Sequence, residues 1–208
     1  MKKIMFSTEY GLQQGVIART KTMTRRVDKK INHPLVTDIS EWGIDDKGKC
    51  YLVITYSTGL TEDVYPPYQI GEEIAIAQPY KDICLTDPIF FEGMRKEAGW
   101  SNKMFVAAEY MPHRIRITNI KVERLQDISG EDCLREGIYK HNALPDALGE
   151  DRYKFIAYAY DATQDKHRKR KWFPTPCEAF AALIDKVSCK GTWNSNPWVF
   201  AYEFELVR

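Results

Sequence analysis

Apolar positions in this chain fall into stretches of alternation and stretches of helical spacing, and the two patterns predict its elements. Residues 4–7 read as a short strand and residues 8–19 as a helix, on which Leu12, Val16 and Ile17 form one apolar stripe. Residues 21–27 then read as extended. From 28 to 67 the chain turns polar, interrupted by the β-prone run 51–56, a Ser57-Thr58-Gly59 turn and a second short run, which predicts an inserted hairpin. Further strands are predicted at 73–78, at 105–110 and at 114–123. In the last of these Ile115 and Ile117 are followed by Ile120 and Val122, a change of phase that places a bulge near Thr118 and Asn119. Ser129, with Asp132 three residues on, starts a helix, and Gly137 is placed to end it in a left-handed conformation. After a second polar insertion, Thr175-Pro176-Cys177-Glu178 opens a helix that runs to about residue 187. A final strand, 198–206, alternates Trp198, Phe200, Tyr202, Phe204 and Leu206 on one face. Short strands outnumber helices and no βαβ alternation is visible, so the expected fold class is α+β, a small, mostly antiparallel barrel or sheet with peripheral helices. One domain is expected over 1–208, with insertions at about 28–63 and 140–174.

Composition narrows this picture without redirecting it. With 208 residues, 44% apolar, 12 Gly and 10 Pro, the chain is neither disordered, nor collagen-like, nor a coiled-coil rod. No apolar run approaches the roughly 18 residues that span a bilayer, and the N-terminal apolar stretch meets Ser7 too early for a signal peptide, so a cytoplasmic protein without a membrane partner is expected. The five cysteines, Cys50, Cys84, Cys133, Cys177 and Cys189, show no CxxC and no histidine at ligand spacing. Reduced, buried thiols are the expectation, with no metal and no cofactor. The net charge of +1 is a sum over segregated segments. Residues 1–30 carry 8 basic and 2 acidic groups, 98–122 carry 4 and 1, and 165–171 carry 5 and 1, whereas 38–97 carry 5 basic against 12 acidic. A confined positive patch follows, which leaves a polyanion partner open.

Nucleotide-loop, zinc-protease and nucleophile-elbow signatures are absent. The stretch that stands out is Arg19-Thr20-Lys21-Thr22-Met23-Thr24-Arg25-Arg26. One reading is an edge strand that turns Lys and Thr to water. The other is chemical: a Thr hydroxyl attacks an amide carbonyl when a base takes its proton, and a Lys can serve when burial or neighbouring cations such as Arg25 and Arg26 lower its pKa. In a regular strand residues 21 and 24 face opposite sides, so Lys21 and Thr24 converge only where the chain bends. A second candidate is aromatic and basic. Trp193, Asn194, Asn196 and Trp198 combine indoles that stack on a base with amides that read its edge, although Trp198 also fits the core face of the last strand. The run Lys166-His167-Arg168-Lys169-Arg170-Lys171 suits either a phosphate grip or a solvated loop.

Lys21-Thr22-Met23-Thr24-Arg25-Arg26 resembles the K-T-x-T-R-R signature of the ASCH family, whose fold is a PUA-like β-barrel. Residues 68–73 (YQIGEE), 122–128 (VERLQDI) leading into Glu131-Asp132, and 196–200 (NPWVF) extend the likeness to the longer ASCH proteins of phages and prophages. The resemblance implies binding of RNA or a modified nucleoside, through Lys21, Thr22, Thr24, Arg25, Arg26 and Arg116, with Trp193 and Asn196 as further contacts. It also implies an alternative, an amidohydrolase acting on N4-acetylcytidine-type nucleosides with Thr24 as nucleophile and Lys21 as base. The family's acidic member lies on the long central strand, where this chain has Arg116; the nearest carboxylates on strands are Glu109 and Glu123. A third alternative is a non-catalytic phage structural or host-interaction protein on the same barrel.

Overall fold

A computed structural model of the chain describes residues 1–83, 92–140, 153–155 and 173–207, and at Glu41 and 153–155 only their backbone. Its centre is a five-stranded sheet. Strand β1 (Lys3–Ile4) pairs in parallel with β6 (Glu73–Ile76); β6 pairs antiparallel with β7 (Arg114–Arg124), β7 with β10 (Trp198–Leu206), and β10 with β2 (Met23–Val27). The spatial order is β1-β6-β7-β10-β2. Among the described residues no ladder joins β1 to β2, so the sheet is open along that seam. Two smaller sheets complete the α+β fold: β3 (Val36–Ile44), β4 (Cys50–Tyr56) and β5 (Thr61–Val64), and the pair β8 (Ile138–Lys140) and β9 (Tyr153–Phe155).

Local signals account for much of this. In β7, Glu203 of β10 faces Asn119 while Phe204 faces Ile117, so Thr118 is the extra residue of a bulge. The bulge returns Ile120 to the core face already occupied by Ile115 and Ile117, and all three are buried. Helix α2 is the short Tyr80–Ile83, and α3 (Gly130–Arg135) begins where the Ser129 hydroxyl accepts from the Asp132 N–H at 3.0 Å, with Gly137 following it at φ of 106°. Helix α4 (Pro176–Val187) begins with Thr175 accepting from the Glu178 N–H, and Pro176 occupies the first helical position. Its Ala179, Phe180, Leu183 and Ile184 are buried in one cluster with Ile4, Val16, Leu52, Ile74 and Phe200. That cluster takes apolar residues from both larger sheets.

Several expected elements differ. The first strand ends at Ile4, and the first helix, α1 (Leu12–Ile17), is shorter than 8–19 because Gly11 (φ 68°) and Arg19 (φ 60°) both adopt left-handed backbone. The expected hairpin at 28–63 is a three-stranded sheet, since 36–44 pairs along β4 as well. Residues 105–110 are not a strand but two short 3₁₀ turns, Lys103–Phe105 and Ala108–Tyr110. The Asn102 side chain accepts from the Met104 N–H and the Tyr80 hydroxyl accepts from the Ala107 N–H, so local caps override a β-prone composition. In β10 both faces are buried, Val199 and Ala201 as well as Phe200 and Tyr202. The basic run 166–171 and Cys84 lie outside the described residues.

Candidate functional site

The open seam between β1 and β2 is where the motif lies. A cleft of about 790 Å³ occupies it, with Phe6 and Lys103 on the β1 side, Lys21, Thr24 and Arg26 on the β2 side, and Leu183 and Ile184 of α4 along one wall. Lys21 precedes β2. Its N–H and that of Thr20 both donate to the Gly15 carbonyl, at 3.0 and 2.9 Å, while the Thr22 N–H donates to the Arg135 carbonyl. The chain therefore turns at the end of α1 before it enters the sheet. Two residues that a straight strand would place on opposite sides line the same cleft, Lys21 only 2% exposed and Thr24 5%.

Lys21 is fully coordinated. Its Nζ donates to the Met23 carbonyl at 2.6 Å, to the Glu136 carbonyl at 2.6 Å and to Glu136 Oε2 at 2.7 Å. Three acceptors match the three donors of an ammonium. Burial pushes the Lys21 pKa down and Arg26 and Arg25 push the same way, while the Glu136 carboxylate opposes them. Glu136, the residue that closes α3, is thus the carboxylate paired with Lys21, and Glu9 also lines the cleft. Sequence order hides it, because it lies 115 residues beyond Lys21. The available signal was the spacing of Asp132 and Glu136, four apart at the end of a short helix and so on one face of it.

Arg25 takes the other side of the same acid. Its guanidinium, with 0% side-chain exposure, meets Glu123 at 2.6 Å, Asp132 at 3.1 Å and Glu136 at 3.2 Å. Burial alone would depress its pKa, but Glu136, Glu123 and Asp132 outweigh it and hold the group above its ordinary value. Arg26 is different. Nη2 donates to the Met5 carbonyl at 2.7 Å, bridging the seam, and the guanidinium carbon sits 5.6 Å from the centre of the Phe6 ring. Its Nε is buried without a hydrogen-bond partner. Lys103 donates to the Phe6 carbonyl. Burial lowers the pKa of both Arg26 and Lys103, and Arg26 further lowers that of Lys103.

The remaining candidates are disposed otherwise. Arg116 stands outside the cleft, paired with Glu73 at 2.8 Å and Glu205 at 3.3 Å on neighbouring strands. Thr22 accepts from Arg135 Nε at 3.3 Å, which ties β2 to α3. Arg25 touches the cleft but is spent on three carboxylates. Trp193 packs edge-on against Phe180, centroids 6.1 Å apart, and its backbone N–H is held by Asp185. Asn196, with φ of 43°, uses its side-chain oxygen to accept from the Gln126 N–H at 2.8 Å. Trp198 carries the Arg124 guanidinium 4.4 Å from its ring centre. Glu109 lies on a 3₁₀ turn rather than a strand, and Glu123 serves Arg25. Thr24 is the one motif side chain in the cleft that makes no side-chain hydrogen bond among the described residues.

Among the described residues no group of three or more His, Cys, Asp or Glu side chains is arranged to hold a metal ion, and no helix is long and apolar enough to cross a membrane. No family model, no curated protein and no solved structure matches this chain.

Proposed function

We propose that this chain is an ASCH-type, PUA-like protein whose seam cleft binds a nucleoside, free and modified or as one unit of an RNA strand. The observation that carries the reading is the composition of the cleft. Its lining combines apolar Leu183 and Ile184 with the uncommitted Thr24 hydroxyl and the Lys21–Glu136 pair. A nucleobase has that character, with apolar faces and a polar edge, and apolar pockets with a few placed polar groups are the common form of small-molecule sites. The volume of about 790 Å³ lies within the usual range for such sites. Calorimetric titration with cytidine and with N4-acetylcytidine tests it. Saturable binding of at least one, weakened about tenfold or more in Thr24→Val, is the expected result. Absence of saturable binding with both removes the reading.

A second reading has its own support. Lys21, Thr24 and a carboxylate line one cleft, the arrangement an N-acyl-cytidine amidohydrolase needs. Here Thr24 Oγ would add to the acyl carbon, its proton passing to the Lys21–Glu136 pair and on to the departing amine, and water would release the acyl group. Lys21, with its three donors engaged, fits better as a fixed cation than as the base. Chromatography of the same mixtures separates the two readings: deacetylation that disappears in Thr24→Ala replaces binding with catalysis.

A further inference from the structure

The cations around the cleft fall into two groups with different counter-charge. Lys21 and Arg25 share three carboxylates, Glu136, Glu123 and Asp132, all within 3.2 Å. Arg26 and Lys103 have none. Among the described residues neither is within ion-pair distance of a carboxylate, and each is anchored only by a backbone carbonyl, of Met5 and of Phe6. Asp82 acts on Lys103, and Glu136 on Arg26, only from longer range. Both side chains are partly desolvated, they repel one another, and the Arg26 Nε–H is buried without an acceptor. Two desolvated cations with no carboxylate partner are stabilised by an anion that enters the cleft beside them. The two cations hang on adjacent carbonyls, of Met5 and Phe6, and both line the same cleft.

We propose that Arg26 and Lys103 form a phosphate subsite of the cleft, so that its ligand is a nucleotide carrying a phosphate ester on its sugar and not a bare nucleoside. This rests on the nucleoside reading above for what lies beside the phosphate. The guanidinium presents a planar pair of N–H groups suited to two phosphate oxygens, and the ammonium supplies a point charge to a third. The phosphate comes either from a nucleoside 5′-monophosphate or from the phosphodiester of an RNA strand; the chemistry at the subsite is shared.

The test is calorimetric titration of the full chain, Arg26→Gln, Lys103→Gln and Lys103→Arg with four probes: cytidine, cytidine 5′-monophosphate, a short oligocytidylate without terminal phosphate, and inorganic phosphate. The expected result is that one phosphate-bearing nucleotide binds the native chain about tenfold or more tighter than cytidine. That ratio falls towards unity in Arg26→Gln and Lys103→Gln and persists in Lys103→Arg, with circular dichroism showing that each variant is folded. Preference for the monophosphate assigns a terminal ester; preference for the oligonucleotide assigns a strand. Equal affinity for cytidine and both phosphorylated probes overturns the subsite while leaving the nucleoside reading standing. Arg26-dependent binding of inorganic phosphate without any gain from the base keeps the subsite and removes the nucleoside reading. A ratio unchanged in both Gln variants overturns the assignment to these residues.

Discussion

Replacing Glu136 with Gln tests the electrostatic centre of the site directly. The substitution preserves size but removes the charge that faces Lys21 at 2.7 Å and Arg25 at 3.2 Å. The Gln carbonyl can still accept from Lys21, yet its amide NH₂ then points at the Arg25 guanidinium, donor against donor. Arg25 retains Glu123 and Asp132, whereas Lys21, 2% exposed, is left with neutral acceptors only, two backbone carbonyls and the Gln carbonyl. Breaking a buried ion pair on one side costs about 3–5 kcal/mol, and the surviving acceptors place this case near about 3 kcal/mol. For a chain of this length that corresponds to a fall in Tm of roughly 6–12 °C. The pH dependence adds a second readout. Burial lowers the Lys21 pKa in the folded state below its ordinary value of 10.5, so between those two values the unfolded chain binds more protons and stability rises with pH. Loss of Glu136 lowers the folded value further and widens that window downwards. The deficit of the variant should therefore shrink between about pH 7 and about pH 9.5. Urea denaturation followed by tryptophan fluorescence at both pH values measures it. A deficit under about 1 kcal/mol, or one that stays constant or grows with pH, means that Lys21 is not held as a buried ammonium by this carboxylate.

The other predictions follow from contacts already described. Arg116→Ala removes two exposed ion pairs, to Glu73 and Glu205, and should leave the thermal midpoint and the ligand titrations unaltered; a loss of ligand affinity would place Arg116 in the site. Deletion of Thr118 shifts half of β7 by one residue against β10, turning either Ile115 and Ile117 or Ile120 to the opposite face, so the variant should fail to give a cooperative thermal transition, whereas Thr118→Ala, an exposed change, should melt near the native chain. Iodoacetamide at about pH 8 should label the exposed Cys189 in the native protein and spare Cys133, which is buried and whose pKa is pushed up by burial and by Cys177, with the two sulfurs 3.7 Å apart. Peptide mapping reads that outcome, and comparable labelling of Cys133 and Cys189 contradicts the packing around α3.

What was legible in the sequence is what depends on neighbours along the chain. The Thr118 bulge shows as a change of alternation between Ile117 and Ile120, and the starts of α3 and α4 show as a hydroxyl three residues before an N–H it can accept from. Three residues of the motif, Lys21, Thr24 and Arg26, line one cleft. Its chemistry was not legible, because partners decide it. Arg25 and Arg26 are adjacent and identical in type, yet alternation along β2 sends one to three carboxylates and the other to a backbone carbonyl across the seam. Glu136 was hidden by distance along the chain, and Arg116 lies outside the cleft, matched to acids on both neighbouring strands. Trp193 and Asn196 suited a base equally well on paper. The fold uses one to pack on Phe180 and the other to hold the turn before β10.

The open seam has a bearing on solubility. A strand with one unpaired side is a template for another chain, and β2, paired only with β10 among the described residues, has such a side facing the cleft. Arg26 crosses that gap to Met5, Lys103 stands across it, and α4 lies along it. Charged side chains at a strand edge disfavour its pairing with an equal edge on a second molecule, and here those charges are the ones that line the cleft. The side chains that line the candidate site are thus the same ones that cover the unpaired edge of β2, and neutralising them in bulk would alter both at once.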